Sequence, residues 1–324
     1  MANSFLPITL APHHPSSPAP YLPSSLSPQP PPTMEFTKTL LIGLKADEFR
    51  HPLDLQATRS LKQIPGLDVA IRSIIGSVAE QFFFLNNIAS SVQVSEKQLP
   101  HLHKLLIEAC EVLDLEPPQL YVQQNPAPNA YTLAMRGRQP FMVMHTSLID
   151  MLTPEEIQAV IAHELGHLKC EHGVYLTLAN ILALAANFLP VWGTVIAQNI
   201  QEQMQEWVRC AEFSCDRAAL LATQDPKVVM SVLMKLAGGS PKLAPQLNLD
   251  AFIEQARAYD AVGETQLGEM LKTAQTAQLT HPVPVIRARE IDRWASSNQY
   301  QTLMQLREKD YNDKDNAKGK WRNW

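Results

Sequence analysis

The chain has 324 residues, of which 45% are hydrophobic and 18% charged, a composition typical of a globular protein with a sizeable core. Its net charge of −5 gives no reason to expect nucleic acid as a partner. The four cysteines show neither paired spacing nor the density of a disulfide framework. We therefore expect an intracellular reducing compartment, cytoplasm or plastid stroma, in which they are small buried residues or free thiols.

The N-terminal stretch has a composition that cannot build a core. Residues 1–33 contain ten of the 25 prolines and no charged residue, so we expect a disordered Pro/Ser-rich extension. The stretch lacks the basic start and continuous apolar run of a secretory signal, and the arginines of a typical organellar transit peptide. Met34 is an alternative start, and the sequence leaves that choice open.

Helical patterns follow the extension. Residues 34–94 are predicted to be an N-terminal helical segment, with an apolar run over Val69–Ile88. Arg72 and Glu80 interrupt that run, which favours a buried helix over a membrane span. A second helix is predicted over Gln98–Leu115, ending before two prolines.

Three short β-like runs come next, separated by turn residues: Gln119–Val122, Ala130–Met135 and Phe141–His145. Beyond them the pattern is helical almost throughout. We therefore predict an α+β fold, mostly helical with one small sheet beside the central helix, in a domain covering residues 95–300. A polar C-terminal tail, residues 301–324, is expected to fray.

The central helix is predicted over Thr153–Gly173 and carries His-Glu-x-x-His. Thr153 is a suitable N-cap, and Pro154 falls at the first helical position. His163 and His167 lie one turn apart, so their rings can reach one zinc ion. Glu164 is then placed to act as general base toward a water that the ion polarises. The alternative, two histidines on a solvated face, is weakened by the well-capped, amphipathic character of the helix.

A catalytic zinc site needs a third protein ligand. Glu171 lies about 12 Å of helix rise beyond His163, and His172 points about 140° away from His167 on a continuous helix, so both are expected to face solvent. Glu212 is the better candidate, since it lies on a second predicted helix among apolar neighbours.

Asp216 lies one turn beyond Glu212 on the same face of that helix. One carboxylate can coordinate zinc while the other accepts the free ring N–H of a ligand histidine. A pair of surface carboxylates is the alternative, and the apolar neighbours disfavour it. Cys210 and Cys215 flank Glu212 and are weaker ligand candidates.

Four ordered motifs resemble the zinc endopeptidases of the HtpX and CAAX-prenyl-protease type. These are His163–His167, the Ala-Glu-Phe-x-x-Asp of residues 211–216, the His281-Pro segment followed by Arg287, and Asn129-Ala130. The resemblance covers roughly residues 95–297 and implies a zincin-like domain. The chain departs from those branches in lacking their clear transmembrane helices.

The resemblance assigns roles to matched positions. It implies that Glu212 is the third ligand with Asp216 in support, that His281 stabilises the oxyanion, and that Arg287 braces the site. It also places Asn129 and Ala130 on the substrate-binding edge.

We therefore expect a zinc-dependent endopeptidase with one Zn²⁺ per chain that acts on protein or peptide substrates in quality control or turnover. A substrate strand is expected to pair with an exposed edge formed by Phe141, Val143 and His145. Two alternatives stay open: a metal-stapled chaperone or adaptor that binds unfolded segments, and a catalytically silent scaffold.

One long uncharged stretch has the composition of a membrane-spanning segment. No charged residue occurs from Gly173 through Gln201, yet His167 and Glu212 on either side must reach the same ion. A single crossing would separate them by about 30 Å, and two crossings need more apolar residues than are available. Residues 174–200 are thus predicted to form an apolar hairpin or kinked helix, either packed on the domain or in peripheral contact with one leaflet.

Overall fold

The computed structural model describes residues 38–62, 85, 89–133, 139–173, 192–262 and 282–306. Residues Lys38–Trp324 form one compact unit. The predicted α+β class is confirmed, since the described residues are mostly helical with one small mixed sheet. The predicted domain boundaries stay predictions, and almost all of the helix predicted over residues 69–88 lies outside the described residues.

The helices account for most of the described chain. They are α1 (Ala46–Phe49), α2 (Pro52–Lys62), α3 (Pro100–Leu113), α4 (Thr146–Ile149), α5 (Pro154–Lys169), α6 (Trp192–Thr223), α7 (Pro226–Gly238), α8 (Leu249–Val262) and α9 (Pro284–Ala295). A 3-10 turn covers Ala244–Gln246, and residues 298–306 are helical as well.

The sheet has four strands: β1 (Val92–Gln93), β2 (Gln119–Gln123), β3 (Ala130–Leu133) and β4 (Phe141–His145). Their spatial order is β1-β2-β4-β3. Strand β4 pairs parallel with β2 and antiparallel with β3, so β4 lies inside the sheet and β3 lies at its edge. The three predicted strands are thus observed, and residues 134 and 135 of the predicted third run lie outside the described residues.

Strand β4 is buried on both faces. Met142 and Met144 point into the main hydrophobic core, while Phe141 and Val143 join Tyr121 in a small cluster on the opposite face. An unbroken apolar run is the pattern of a strand that is covered on both sides. The expectation that β4 offers an exposed edge to substrate is therefore wrong, because both of its edges pair with neighbouring strands.

Helix α5 begins as predicted and ends earlier. The Thr153 side chain accepts from the backbone of Glu156, and the Glu156 side chain accepts from the backbone of Thr153, which completes a capping box. The helix ends at Lys169 because Glu171 adopts a left-handed conformation, with φ of 58°. The predicted helix is thus broken at residues 170 and 171, and residues 172 and 173 are helical again.

Helices α5 and α6 approach each other closely at Gly166. A Cβ at this position would lie 2.9 Å from both Ala218 Cβ and Cys215 Cα. Glycine is thus required on the α5 side, with small residues opposite it on α6. This close approach brings the histidine face of α5 within reach of the acidic face of α6.

The N-terminal segment packs against α6 beside this close approach. Arg217 of α6 donates to the carbonyls of Phe49 and Arg50 at 3.2 and 3.1 Å, and its guanidinium lies 4.9 Å from the ring centre of Trp294. Phe49 is fully buried in the main core. Residues 38–62 are therefore part of the folded unit that carries the histidines.

Within the described residues, no helix is both long enough and apolar enough to cross a bilayer. Most of the predicted apolar segment, residues 174–191, lies outside the described residues, and α6 begins directly after it.

Replacing Gly166 by Ala tests the close approach. Overpacking costs about 1–3 kcal/mol, and the clash with backbone at Cys215 leaves little room for relief, so this cost exceeds the gain of about 1 kcal/mol from higher helix propensity. We expect a lower free energy of unfolding in denaturant titrations of Gly166→Ala. Gly238→Ala is the matched control, because nothing lies within 4 Å of its added Cβ; equal stability of both variants would contradict the packing argument.

Candidate metal centre

Three side chains predicted from the sequence converge between α5 and α6. The Nε2 atom of His163 lies 3.3 Å from Oε2 of Glu212, and Nε2 of His167 lies 3.3 Å from Oε1 of the same carboxylate. Glu212 is 1% exposed. Two imidazole nitrogens and one buried carboxylate therefore meet at a single point.

This donor set fits a zinc ion. Zinc bonds to nitrogen and oxygen of about 2.0–2.1 Å in a tetrahedron place neighbouring donor atoms about 3.3–3.4 Å apart. Each Nε2 lies 3.3 Å from an oxygen of Glu212, His163 from Oε2 and His167 from Oε1. A His₂Glu set also leaves one position open, as catalytic sites require. The donor types and their close spacing thus fit zinc.

Asp216 and Arg287 brace this donor set. Asp216 Oδ1 lies 3.0 Å from Nδ1 of His163, so a proton on Nδ1 donates to Asp216 and leaves Nε2 free for the metal. Arg287 of α9 donates to both oxygens of Asp216, at 2.8 and 2.6 Å, and its Nη1 lies 3.3 Å from Glu212. This arginine therefore places one positive charge in contact with two buried acids.

The electrostatics of the metal-free cluster follow from these contacts. Burial alone would raise the pKa of Glu212, but the charges of His163 and Arg287 hold it well below its usual range. Burial likewise opposes the charge of His163, yet Glu212 and Asp216 raise its pKa to about 10. A metal ion entering the site would displace the proton from His163 and take over its charge.

Cys215 is a competing donor. Its sulfur lies near His163 and His167, with the chosen ligand atoms of all three within 4.8 Å of one another. Burial, together with neighbouring acidic groups, raises the pKa of the Cys215 thiol well above its usual range, and metals bind the thiolate. The ionised Glu212 is therefore the better ligand. All four cysteines are free and buried, as the sequence predicted.

His172 is not solvent-facing, and that prediction is wrong. The left-handed Glu171 turns the chain back, so that Nδ1 of His172 lies 3.2 Å from Nδ1 of His167. Nε2 of His172 lies 3.0 Å from Asp54 in α2, and both side chains are fully buried. Glu171 itself is exposed, as expected. Asp54 was not predicted from the sequence, because the segment around it carries no recognisable motif.

The residues predicted to form the substrate-binding edge lie in two different parts of the sheet, some at the edge strand β3 and some on the inner strand β4. Asn129 and Ala130 lie at the start of the edge strand β3, and both line a cavity beside the histidines. His145 is buried instead, with its Nδ1 2.8 Å from the carbonyl of Ala127, where it anchors the turn before β3. The edge therefore belongs to β3, and Phe141, Val143 and His145 support it from inside.

Strand β3 also reaches the predicted general base. Thr132 Oγ1 donates to Oε2 of Glu164 at 2.9 Å, a contact that sequence analysis did not anticipate. Glu164 is 7% exposed and lines the cavity together with His163, Glu212 and Arg287. His281 lies outside the described residues, while Pro282 directly after it borders the same cavity.

A donor set of this kind, beside a carboxylic acid and an edge strand that can pair with an extended peptide, defines a metal-dependent peptidase. The chain belongs to peptidase family M48: the sequence model of that family matches residues 96–295. The protein is thus a metallopeptidase, and the resemblance inferred from the four motifs is confirmed.

The relatives that match by sequence agree with this assignment. The chain is 58% identical over 265 residues to "Plastoglobule-localized metallopeptidase 48, chloroplastic" of Arabidopsis thaliana, covering 82% of this chain and 77% of that protein. It is 28% identical over 189 residues to "Protease HtpX homolog 2" of Methanosarcina mazei, covering 50% of this chain and 64% of that one. A crystal structure of S. mikatae Ste24p aligns with a TM-score of 0.38 at 15% identity, covering 74% of this chain and 62% of that one.

The buried His172 predicts an acid-sensitive fold. Burial lowers the pKa of His172 to about 4, although Asp54 opposes this shift. The unfolded chain, with an ordinary histidine pKa of about 6.5, binds the proton more readily, so this stability is present above pH 6.5 and is lost as pH falls toward 4. The raised pKa of His163 contributes stability that is already complete below pH 6.5, so its contribution stays constant in this window.

We therefore expect the free energy of unfolding of the chelator-treated protein to fall between pH 6.5 and 4.5, by up to about 1.4 kcal/mol per pH unit for one proton. Denaturant titrations at several pH values measure this slope. His172→Asn reduces the slope, whereas the same change at His101, an exposed histidine of α3, leaves it in place. A wild-type slope in His172→Asn would contradict the assignment.

Proposed function

We propose that the protein is a zinc endopeptidase, with one zinc held by His163, His167 and Glu212 and with Glu164 as general base. The convergence of two imidazoles and a buried carboxylate at 3.3 Å carries this proposal. Asp216 supports His163 by a direct hydrogen bond, and Arg287 contacts both Asp216 and Glu212.

The chain's own residues supply the proton transfers. Zinc bound in this site would polarise the attacking water and the peptide carbonyl. Glu164 accepts the proton of that water and passes it to the leaving amine. Thr132 holds one oxygen of Glu164 in place through its 2.9 Å hydrogen bond, which leaves the other oxygen for this work. His281 is proposed as the donor to the oxyanion, from its match to the family motif.

The substrate backbone is proposed to pair with β3. As the edge strand of the sheet, Ala130–Leu133 presents its outer side to an incoming extended peptide. Thr132 lies on this strand and contacts Glu164, so a peptide aligned along β3 passes directly beside the general base. Asn129 and Ala130 line the cavity at the same end.

The cavity favours an apolar side chain of the substrate. It has a volume of about 360 Å³ and extends from His163 between α5 and α7. A space of this size accepts a large aliphatic or aromatic side chain. Its apolar walls are formed by Leu148, Val160, Val229, Val232, Leu233, Leu236 and Val283.

A plastid is the proposed location, with protein turnover as the proposed role. The name of the Arabidopsis relative places that protein in the chloroplast, at plastoglobules, and the identity of 58% over most of both chains supports the transfer. Four buried free cysteines agree with a reducing compartment.

Glu164→Gln separates catalysis from metal binding. We expect the variant to fold and to keep about one zinc, because Glu164 is not a ligand, and to lose nearly all turnover, because the proton acceptor is gone. Zinc content is measured by elemental analysis, and turnover by cleavage of a quenched fluorescent peptide.

Two controls define the outcome. Glu212→Gln should lose zinc as well as turnover, whereas Glu171→Gln, on the exposed turn after α5, should lose neither. Wild-type cleavage by Glu164→Gln would refute the mechanism. Zinc-loaded wild type that binds peptides without cleaving them would favour the adaptor function instead.

Val232→Trp tests the apolar cavity. Val232 is buried in the cavity wall on α7, and an indole there would fill the space for the substrate side chain. We expect kcat/KM for peptides with a large apolar residue at the cleavage site to fall about 10- to 100-fold, since one such pocket contact is worth about 1–3 kcal/mol. Peptides with alanine at that position should lose much less. Equal losses for both peptide sets would contradict the specificity role.

A further inference from the structure

A buried hydrogen-bond chain leads from His167 to the N-terminal segment. Nδ1 of His167 lies 3.2 Å from Nδ1 of His172, and Nε2 of His172 lies 3.0 Å from Oδ2 of Asp54. His172 and Asp54 are both fully buried. The chain therefore connects a proposed metal ligand to an acid that lies outside residues 96–295, the region matched by the family.

Two features of the backbone assemble this chain. The left-handed Glu171 ends α5 and turns His172 back under His167. Helix α2 packs against α6 and presents Asp54 to the outer nitrogen of His172. Neither feature is needed to build the sheet or to place His163 and Glu212.

Asp54 is held in one orientation. Its Oδ1 accepts from Thr58 at 3.0 Å, and its Oδ2 accepts from Ser214 at 2.6 Å as well as from His172. Arg50 lies 3.9 Å from the same carboxylate and supplies a nearby positive charge. The acid is thereby kept ionised and fixed at the end of the chain.

Each proton in the chain then has one consistent place. An ionised Asp54 accepts, so the proton of His172 lies on Nε2 and the lone pair of its Nδ1 faces His167. Two donors lie near that lone pair, Nδ1 of His167 at 3.2 Å and the thiol of Cys215 at 3.6 Å. His167 is the closer of the two, and with its proton on Nδ1 it donates to His172. The lone pair of His167 Nε2 is left facing Glu212, where a metal ligand needs it.

We propose that His172 and Asp54 are positioning residues that fix the tautomer and ring orientation of His167 for metal binding, an inference that rests on the zinc site proposed above. Asp216 does the same for His163 by direct contact. The two ligand histidines thus each depend on an acid, one directly and one through a second histidine.

A second metal site at Asp54, Cys170 and His172 is the competing interpretation, since their donor atoms lie within 4.8 Å of one another. The hydrogen bonds described above already occupy the Asp54 oxygens and the outer nitrogen of His172. The guanidinium of Arg50 also donates to the carbonyl of Cys170, which places a positive charge inside the cluster. A cation there would have to break this network, so the positioning role is favoured.

Zinc affinity of the full chain tests the proposal, measured by competition with a chelator of known affinity. We expect His172→Phe and Asp54→Asn to weaken zinc binding about 10- to 100-fold, the usual effect of losing the partner of a ligand histidine. His172→Asn keeps an oxygen near the position of Nδ1 and should recover part of the loss. His101→Phe, on the exposed side of α3, is the matched control and should bind zinc as wild type does.

The hydrogen-bond chain also predicts that the two losses are not additive. Asp54 acts on His167 only through His172, so the double variant His172→Phe/Asp54→Asn should bind zinc no more weakly than His172→Phe alone. Additive losses would overturn the proposal, because they indicate two independent structural effects.

A spectroscopic measurement on the wild-type protein covers the case in which the variants fail to fold. Long-range ¹H–¹⁵N spectra of the zinc-loaded chain should show His167 protonated on Nδ1 and His172 protonated on Nε2. A proton on Nδ1 of His172, or wild-type zinc affinity in a folded His172→Phe, would overturn the positioning role alone. Wild-type protein that binds no zinc would overturn the proposed function itself.

Discussion

The structure depends on the burial of two carboxylates, Glu212 and Asp216, one turn apart on α6 and almost without solvent contact. Unpaired charges in such a place would be strongly destabilising. Arg287 contacts both acids, and His163 lies between them. Without these partners the two acids would disrupt the core. With them, Glu212 is the proposed ligand and Asp216 supports the ligand set. Stability and metal binding therefore rely on the same contacts.

Much of the site was predictable because its signals are local. The start of α5 follows from the capping box formed by Thr153 and Glu156, and the spacing of His163 and His167 needs only helical geometry. The partnership of Glu212 with Asp216 follows from the same four-residue spacing on α6. Such features are decided within one or two turns of helix, where sequence patterns are most informative.

The features that were not predicted depend on the break in the helix at Glu171 and on the order of the strands. Local sequence patterns do not encode either. A left-handed residue after a helix is usually glycine, so a glutamate at position 171 does not indicate that α5 ends at Lys169. The order of the strands was not predicted either, although one sequence pattern indicates it. The unbroken apolar run of Phe141–His145 indicates a strand covered on both faces, whereas the mixed Ala130–Leu133 suits an edge. Asp54 had no such signal, because its role exists only once α2 has packed against α6.

The order in which the bracing residues occur along the chain has a consequence for synthesis. Asp54 comes early, the histidines lie midway, and Arg287 lies close to the C-terminal end of the described residues. Until Arg287 has been synthesised and α9 has docked, Glu212 and Asp216 lack their shared cation, so the acidic face of α6 resists burial. The full set of contacts around the two acids is thereby tied to the docking of α9, the last helix to contribute to them.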